Sequence, residues 1–339
     1  MARSISVALY GAGSYGEYVF RRLADERPDI TVKGFLDDSK KGELNGLPIM
    51  HPDGSLSMEI DLVLVTSSYW REISRKLVQS DLAFCVMDLF SAPAPKSLVV
   101  KKFGDSEIKF DTPNRFLWEA SCGFERIEPG TISWINEIEP NSVFYDIGAS
   151  CGVFSLYASI AKSCEVFAFE PDAQNFAVLE KNHFINRGEM KNRFVALNLG
   201  LSDGPNLLPL IVQDFLAGSH GKVFESSNRI VQREMESEHI QYTLLESIDN
   251  LIARFEFPCP NYLKIDVDGC EKLIVEGACR TFRDESLASV LIETDELSSP
   301  EITKMMFQNG FSLKSSHEIR EVTGSLVSGV KNYQFDRTG

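Results

Sequence analysis

The chain has 339 residues, 43% of them hydrophobic and 24% charged, with a formal net charge of -15. Its length predicts about two domains, each able to bury a core, and its composition excludes wholesale disorder. The acidic balance opposes any sequence-independent grip on nucleic acid or on an anionic membrane, since both need clustered Lys and Arg to displace counterions.

The N-terminus, MARSISVALYGAG, passes from a short polar lead directly into a strand and lacks the regions of a secretion signal. No stretch approaches the ~18 apolar residues of a membrane span, so a cytoplasmic protein without an integral membrane segment is expected. Seven scattered cysteines without a C-x-x-C pair imply reduced thiols rather than a zinc site or a disulfide framework.

Residues 5–90 alternate short apolar runs with helical patterns. Strands are predicted at Ile5–Tyr10, Val32–Leu36, Leu62–Thr66 and Leu82–Leu89, and helices at Tyr15–Ala24 and Trp70–Val78. That rhythm predicts a parallel sheet. Gly11, Gly13 and Gly16 follow the first strand and open the first helix, with Asp37 or Asp38 about twenty residues later, as a dinucleotide or other nucleotide site requires. Ser91–Ser97, SAPAPKS, is a linker candidate, because its prolines cannot continue a helix or a central strand. The expected domains are therefore 1–100 and 101–339.

The second domain repeats the alternation with longer elements. Strands are predicted at Val143–Asp146, Glu165–Glu170, Phe194–Leu199, Tyr262–Val267 and Val290–Glu293, with a closing pair near Phe311–Leu313 and Asn332–Phe335. Helices are expected at Gln174–Asn186 and Glu271–Gly277. Between Pro209 and Tyr242 the pattern lapses into a polar stretch, which predicts a surface excursion or a lid.

The richest segment is VFYDIGASCG, Val143–Gly152. An apolar strand ends in Asp146, and Gly148, Ala149 and Gly152 form a turn into a helix, so that a ligand meets bare backbone. The D-x-G-x-x-x-G spacing favours S-adenosylmethionine over a dinucleotide, whose pyrophosphate needs a closer helix N-terminus. In an open parallel sheet the carboxyl ends of the strands face one crevice. The second strand brings Glu170, Pro171 and Asp172 there, and a carboxylate at that point accepts two hydrogen bonds from vicinal ribose hydroxyls. The third brings Ser202 and Asp203 toward an adenine edge, the fourth Lys264, Asp266, Asp268 and Glu271, and the fifth Glu293. Singly, each group also fits a helix cap or an ordinary turn. Their gathering at one rim is what favours a nucleoside site.

These residues resemble the FkbM-type S-adenosylmethionine-dependent methyltransferases. The resemblance spans about Ile127 to Phe335 and rests on EPGTISWI (Glu128–Ile135), FYDIGASCGVFSLYAS (Phe144–Ser159), FAFEPDAQNFAVLEKN (Phe167–Asn182), LGLSD (Leu199–Asp203), LKIDVDGCEKLIVEGA (Leu263–Ala278) and LIE (Leu291–Glu293). It implies a class I, Rossmann-like methyltransferase domain. Asp146, Gly148 and Gly152 would hold the methionine end of S-adenosyl-L-methionine, Glu170 the ribose, and Ser202 with Asp203 the adenine side. Ser150 stands where the family usually has Asn, and Asp268 where it usually has Glu. GFLDDSKKGELNGLPI, Gly34–Ile49, resembles the nucleotide-sugar-binding region of bacterial sugar acyltransferases, which makes the first domain a small Rossmann-like binding or scaffold unit.

Methyl transfer to a hydroxyl needs a positioned acceptor and, usefully, a base within hydrogen-bond reach. Asp266 is the first candidate, followed by Asp268, Glu293 and His220; no metal site is expected. The acceptor implied is a sugar, a glycan or another hydroxylated small molecule, with polysaccharide modification as the setting. A nucleotide sugar would occupy the first domain, and assembly into a homo-oligomer is compatible with the chain. Two other functions stay open: a nucleotide-sugar enzyme using NAD in the first domain, and a non-catalytic nucleotide-binding regulator.

Overall fold

The computed structural model describes all residues except 1–3, 53–58, 68, 81, 87–95, 105, 220–221, 225–238, 321–325 and 339. The chain divides into two compact units, Met1–Ala92 and Pro93–Gly339.

In the first unit, β1 (Ile5–Tyr10), α1 (Ser14–Glu26), β2 (Ile30–Leu36), β3 (Gly42–Leu44), β4 (Leu47–Met50), β5 (Leu62–Val65), α2 (Trp70–Val78) and β6 (Phe84–Val86) follow one another. The sheet order is β3-β4-β2-β1-β5-β6, parallel except for the β3–β4 hairpin. Alternation along β1 explains the two helical layers. Val7 and Leu9 pack with Val19 and Leu23 of α1, while Ala8 and Tyr10 pack with Ile73 and Leu77 of α2. The hairpin was hidden in the sequence, because its two short strands carry no apolar alternation.

The second unit opens with a hairpin, β7 (Leu98–Phe103) and β8 (Ser106–Asp111), and two helices, α3 (Arg115–Ile127) and α4 (Pro129–Glu137). Asn114 caps α3 by accepting a hydrogen bond from the Leu117 amide, and Pro129 starts α4 where a missing N–H costs nothing. Then come β9 (Val143–Ile147), α5 (Val153–Ala161), β10 (Glu165–Phe169), α6 (Ala173–Asn186), β11 (Phe194–Leu197), β12 (Gly200–Leu201), β13 (Asn206–Val212), β14 (Lys222–Phe224), β15 (His239–Glu246), α7 (Ile248–Phe255), β16 (Tyr262–Ile265), α8 (Glu271–Glu276), β17 (Ser289–Asp295), α9 (Ser299–Gln308), β18 (Phe311–Arg320) and β19 (Leu326–Arg337).

Seven of these strands form one sheet in the order β11-β10-β9-β16-β17-β19-β18. The first five run parallel and β19 is antiparallel to both of its neighbours. This is the doubly wound, Rossmann-like arrangement expected for a class I methyltransferase domain. Both faces are buried: Tyr145, Ile147, Phe167 and Phe169 point to one core layer, and Phe144, Val166 and Ala168 to the other. The chain reverses direction across the sheet between β9 and β16, so the crevice lies at their carboxyl ends.

Both ends of the stretch expected to be a polar excursion are sheet, while residues 220–221 and 225–238 within it lie outside the described residues. β13 and β15 pair along their whole length and, with β12 and β14, build a second, four-stranded sheet whose inner side chains Leu210, Val212 and Leu245 join the main core. Its outer face alternates in the strand period, but with apolar residues, and this concealed the pattern. Among the described residues no helix is long and apolar enough to cross a membrane.

Candidate active site

The turn after β9 is built by close approach. Gly148 has φ +80°, and a Cβ there would lie 1.8 Å from the Asp266 carbonyl oxygen at the end of β16. Gly152 has φ +84°, and a Cβ would lie 2.4 Å from Leu179 Cδ1 of α6. Larger residues would push the turn off both neighbours. The amides of Gly148 and Ala149 donate to the Phe169 carbonyl at 3.0 Å, tying the turn to the end of β10. Ser150 has φ +49°, in the left-handed region where Asn is better tolerated, which gives the family's usual Asn a backbone reason.

Asp146 is fully buried. Its Oδ2 accepts a 2.5 Å hydrogen bond from Ser155, whereas Oδ1 has no hydrogen-bond partner and lies 4.0 Å from Lys264 Nζ. Burial raises the Asp146 carboxyl above its ordinary range, against the pull of Lys264. Glu170, also buried, accepts one hydrogen bond on each oxygen, from the Ser150 and Asp172 amides, both at 2.8 Å. One acceptor position is left on each oxygen. Burial pushes its pKa up to about 7, even though the two amides and Lys222 favour the charged form.

Asp172 is brought to the same rim but is occupied structurally. Its Oδ1 caps α6 through the Asn175 amide at 2.8 Å and meets Lys222 Nζ at 3.1 Å. The Pro171 carbonyl accepts from Asn198 and Gln241 side chains. Ser202 Oγ donates to Asp203 at 3.1 Å, and the two follow β12 beside α8, where a Cβ on Gly277 would lie 2.1 Å from the Ser202 carbonyl.

On the other side of the crevice is a cluster that sequence reasoning found only in part. Glu128, Asp266 and Glu293 each present a carboxylate oxygen, and these oxygens lie within 4.8 Å of one another. Glu128, from the start of α4, accepts hydrogen bonds from Thr131 Oγ1 at 2.7 Å and Asn332 Nδ2 at 3.2 Å. Glu293 pairs across the sheet with Asn332 of β19. Lys264, fully buried on β16, binds Asp266 directly and sits 5.0 Å from the centre of the Phe154 ring. Burial would lower the Lys264 pKa, yet Asp266, Asp146 and Glu128 around it hold it above the ordinary lysine range. Burial, then the charges of Asp266 and Glu128, push the Glu293 carboxyl well above the ordinary carboxylate range. Burial likewise raises Glu128.

Three oxygens at this spacing suit a hard divalent cation as well as an organic ligand. Among them Asp266 already holds a cation in the Lys264 ammonium. Asp268 follows in the same loop but is not part of the three-carboxylate group. His220 lies outside the described residues. Glu128 and Lys264 carried one sequence signal each, their place in the EPGTISWI and LKIDVDG segments, but a glutamate before a helix proline looks like an ordinary helix start.

In the first unit, Gly11, Gly13, Gly16 and Asp37 do meet at the turn between β1 and α1. Gly11 has φ +124° and a Cβ there would lie 2.5 Å from the Thr66 carbonyl oxygen. A Cβ on Gly16 would lie 1.8 Å from the Gly11 carbonyl, so close packing alone accounts for both glycines. Asp37 accepts hydrogen bonds from the amides of Ala12, Ser39 and Lys40 and from Ser39 Oγ. Burial opposes its ionisation, but these donors hold its carboxyl below the usual range. Lys40 Nζ donates to the Ala12 carbonyl. The acid expected to meet a ribose therefore ties down the turn itself.

Comparison with known proteins gives the family. Residues 146–320, just over half of the chain, match the model described as the methyltransferase FkbM domain. Over 173 residues the chain is 25% identical to the hexuronic acid methyltransferase AglP of Haloferax volcanii. That match covers 51% of this chain and 64% of AglP, less than two thirds of the relative. Among solved structures, the precorrin-6y C5,15-methyltransferase of Geobacter metallireducens is similar at TM-score 0.37 and 12% identity, covering 62% of this chain and 87% of that one. The magnesium protoporphyrin IX methyltransferase of Synechocystis PCC 6803, with bound SAM, is similar at TM-score 0.39 and 10% identity, covering 66% and 84%.

Proposed function

Since the chain belongs to the FkbM methyltransferase family and is an S-adenosyl-L-methionine-dependent methyltransferase, we propose that it methylates a hydroxyl oxygen of a sugar, glycan or similar polyol. The observation that carries this reading is the cluster of Glu128, Asp266 and Glu293 beside the Asp146 turn. Closely spaced carboxyl groups suit an acceptor dense in hydroxyls, which can both donate to them and accept from them. The similarity to a hexuronic acid methyltransferase supports the same substrate class.

The residues present fit the cofactor. Asp146 keeps a buried oxygen without a partner, Gly148 and Gly152 leave the backbone bare, and Glu170 retains acceptor capacity on both oxygens. In this reading Asp146, Gly148, Ala149 and Gly152 hold the methionine part, Glu170 the ribose, and Ser202 with Asp203 the base. Asp172 and Pro171 shape the turn rather than touch the ligand. Bound there, the cofactor supplies an activated methyl group on sulfur and a neutral leaving group.

The chain's own work is to position the acceptor and receive its proton. Asp266 takes the proton from the attacking hydroxyl, and Lys264 keeps Asp266 oriented through their direct ion pair. Glu128 and Glu293 bracket the acceptor from either side of Asp266. Neither Asp268 nor His220 is needed in this scheme.

The test is transfer of an isotopically labelled methyl group to a panel of acidic and neutral glycans, nucleotide sugars and free hexuronic acids, with the modified atom located by mass spectrometry. A methyl ether on a sugar hydroxyl is the expected product. A methyl ester, an N-methyl product, or turnover confined to non-hydroxylic acceptors would overturn the reading.

A further inference from the structure

We infer that the outer face of the second sheet, on β13 and β15, is the contact through which two copies of this chain pair as a two-fold dimer. The period of a strand sends alternate side chains to opposite faces, and a sheet covered on one side normally carries polar residues on the other. Here the covered side puts Leu210, Val212 and Leu245 in the core, beside the polar Gln241 and Thr243. The uncovered side is apolar. Cross-strand pairs Leu207 with Leu244, Pro209 with Tyr242, and Ile211 with Ile240 form one unbroken strip. Leu207 is 55% exposed, Ile240 52%, Tyr242 69% and Leu244 63%, with Pro209 and Ile211 partly covered between them.

Area points to a stable partner. The strip exposes roughly 500 Å², and about 1,000 Å² over a pair is the size a specific interface has to clear.

Symmetry points to a second copy. An isologous contact needs one patch that complements itself. The strip has a leucine pair at one end, an isoleucine pair at the other, and Pro209 with Tyr242 in the middle. A two-fold axis at that central pair lays the leucines of one copy over the isoleucines of the other, as in a packed pair of aligned sheets. The net charge of -15 makes two copies repel, and the strip itself places no charged side chain in the contact. The same charge disfavours an anionic lipid surface as the occupant. The strip also backs onto the cofactor rim, because Gln241 of β15 donates to the Pro171 carbonyl at 2.7 Å and accepts from the Ala173 amide at 3.0 Å.

Sedimentation velocity on the full chain tests the inference. The expected mass is twice 38.0 kDa, and Tyr242→Glu and Leu244→Glu, each on an exposed side chain, should halve it while circular dichroism and methyl-donor binding stay unchanged. Tyr242→Cys should give a disulfide-linked dimer on mild oxidation, whereas the parent and Phe184→Cys, exposed on α6, should not. A parent that stays at 38.0 kDa across about two decades of concentration overturns the inference, as does a dimer whose mass both glutamate variants leave intact. Equal crosslinking at positions 184 and 242 would overturn it as well.

Discussion

The raised pKa of Glu170 makes cofactor affinity depend on pH in a definite direction. The free carboxyl titrates at about 7, because burial penalises its charge more than the Ser150 and Asp172 amides and Lys222 offset it. Ribose hydroxyls donate hydrogen bonds, so the ionised form is the one that binds. Affinity should therefore rise with pH up to about 7 and level off above it. If only the ionised form binds, each pH unit below that point weakens binding about tenfold, or ~1.4 kcal/mol.

Titration calorimetry with S-adenosylhomocysteine from about pH 5.5 to about 8.5, in buffers of different ionisation enthalpy, should show this slope and a proton released on binding at about pH 6. Glu170→Gln should flatten the profile and weaken binding at pH 8 by about 1 to 3 kcal/mol, since the neutral amide cannot accept on both sides. Cofactor-free stability moves the opposite way. Below about 4.5 folded and unfolded chains both keep this proton, and between about 4.5 and 7 only the folded chain does. Its contribution is thus greatest at acid pH and is lost through that window, by up to about 3 kcal/mol. An affinity that is flat with pH, or that falls as pH rises to 7, would refute the assignment of Glu170 to the ribose.

Asp266→Asn should lower kcat by about 10² to 10⁴ while leaving the methyl-donor Kd within about threefold, in single-turnover and binding assays. Lys264→Met should cost roughly 3–5 kcal/mol at neutral pH by leaving buried carboxylates uncompensated, with the loss shrinking in acid as they take up protons; melts across pH would show it. Because Lys264 already supplies the positive charge at Asp266, treatment with a chelator should leave turnover unchanged, and activity lost to chelator and restored by magnesium would contradict this. Asp37→Ala should destabilise the first unit by about 1–2 kcal/mol through the amides it leaves unpaired, seen in differential scanning calorimetry; a change in nucleotide-sugar affinity without a change in melting would contradict the structural role.

Local chemistry in the sequence was enough to reveal the two alternating α/β patterns, the glycine turn after Asp146 and the carboxylates that end β10, β16 and β17. Such features are readable because strand period, turn glycines and strand-end position are all short-range properties. Folding decided what those residues face. Asp37 and Asp172 have the residue type and position of ligand contacts, yet the folded chain brings backbone amides and Lys222 to them first. Glu128 lies far along the chain from Asp266 and Glu293, and only the packing of α4 against β19 brings their oxygens together. β13 and β15 were obscured because β13 is apolar on both faces and β15 turns most of its apolar residues outward, and only their pairing separates the side that belongs to the core from the side left open. Sequence fixes which groups a segment can offer; burial and long-range contact fix which of those groups remain free to act.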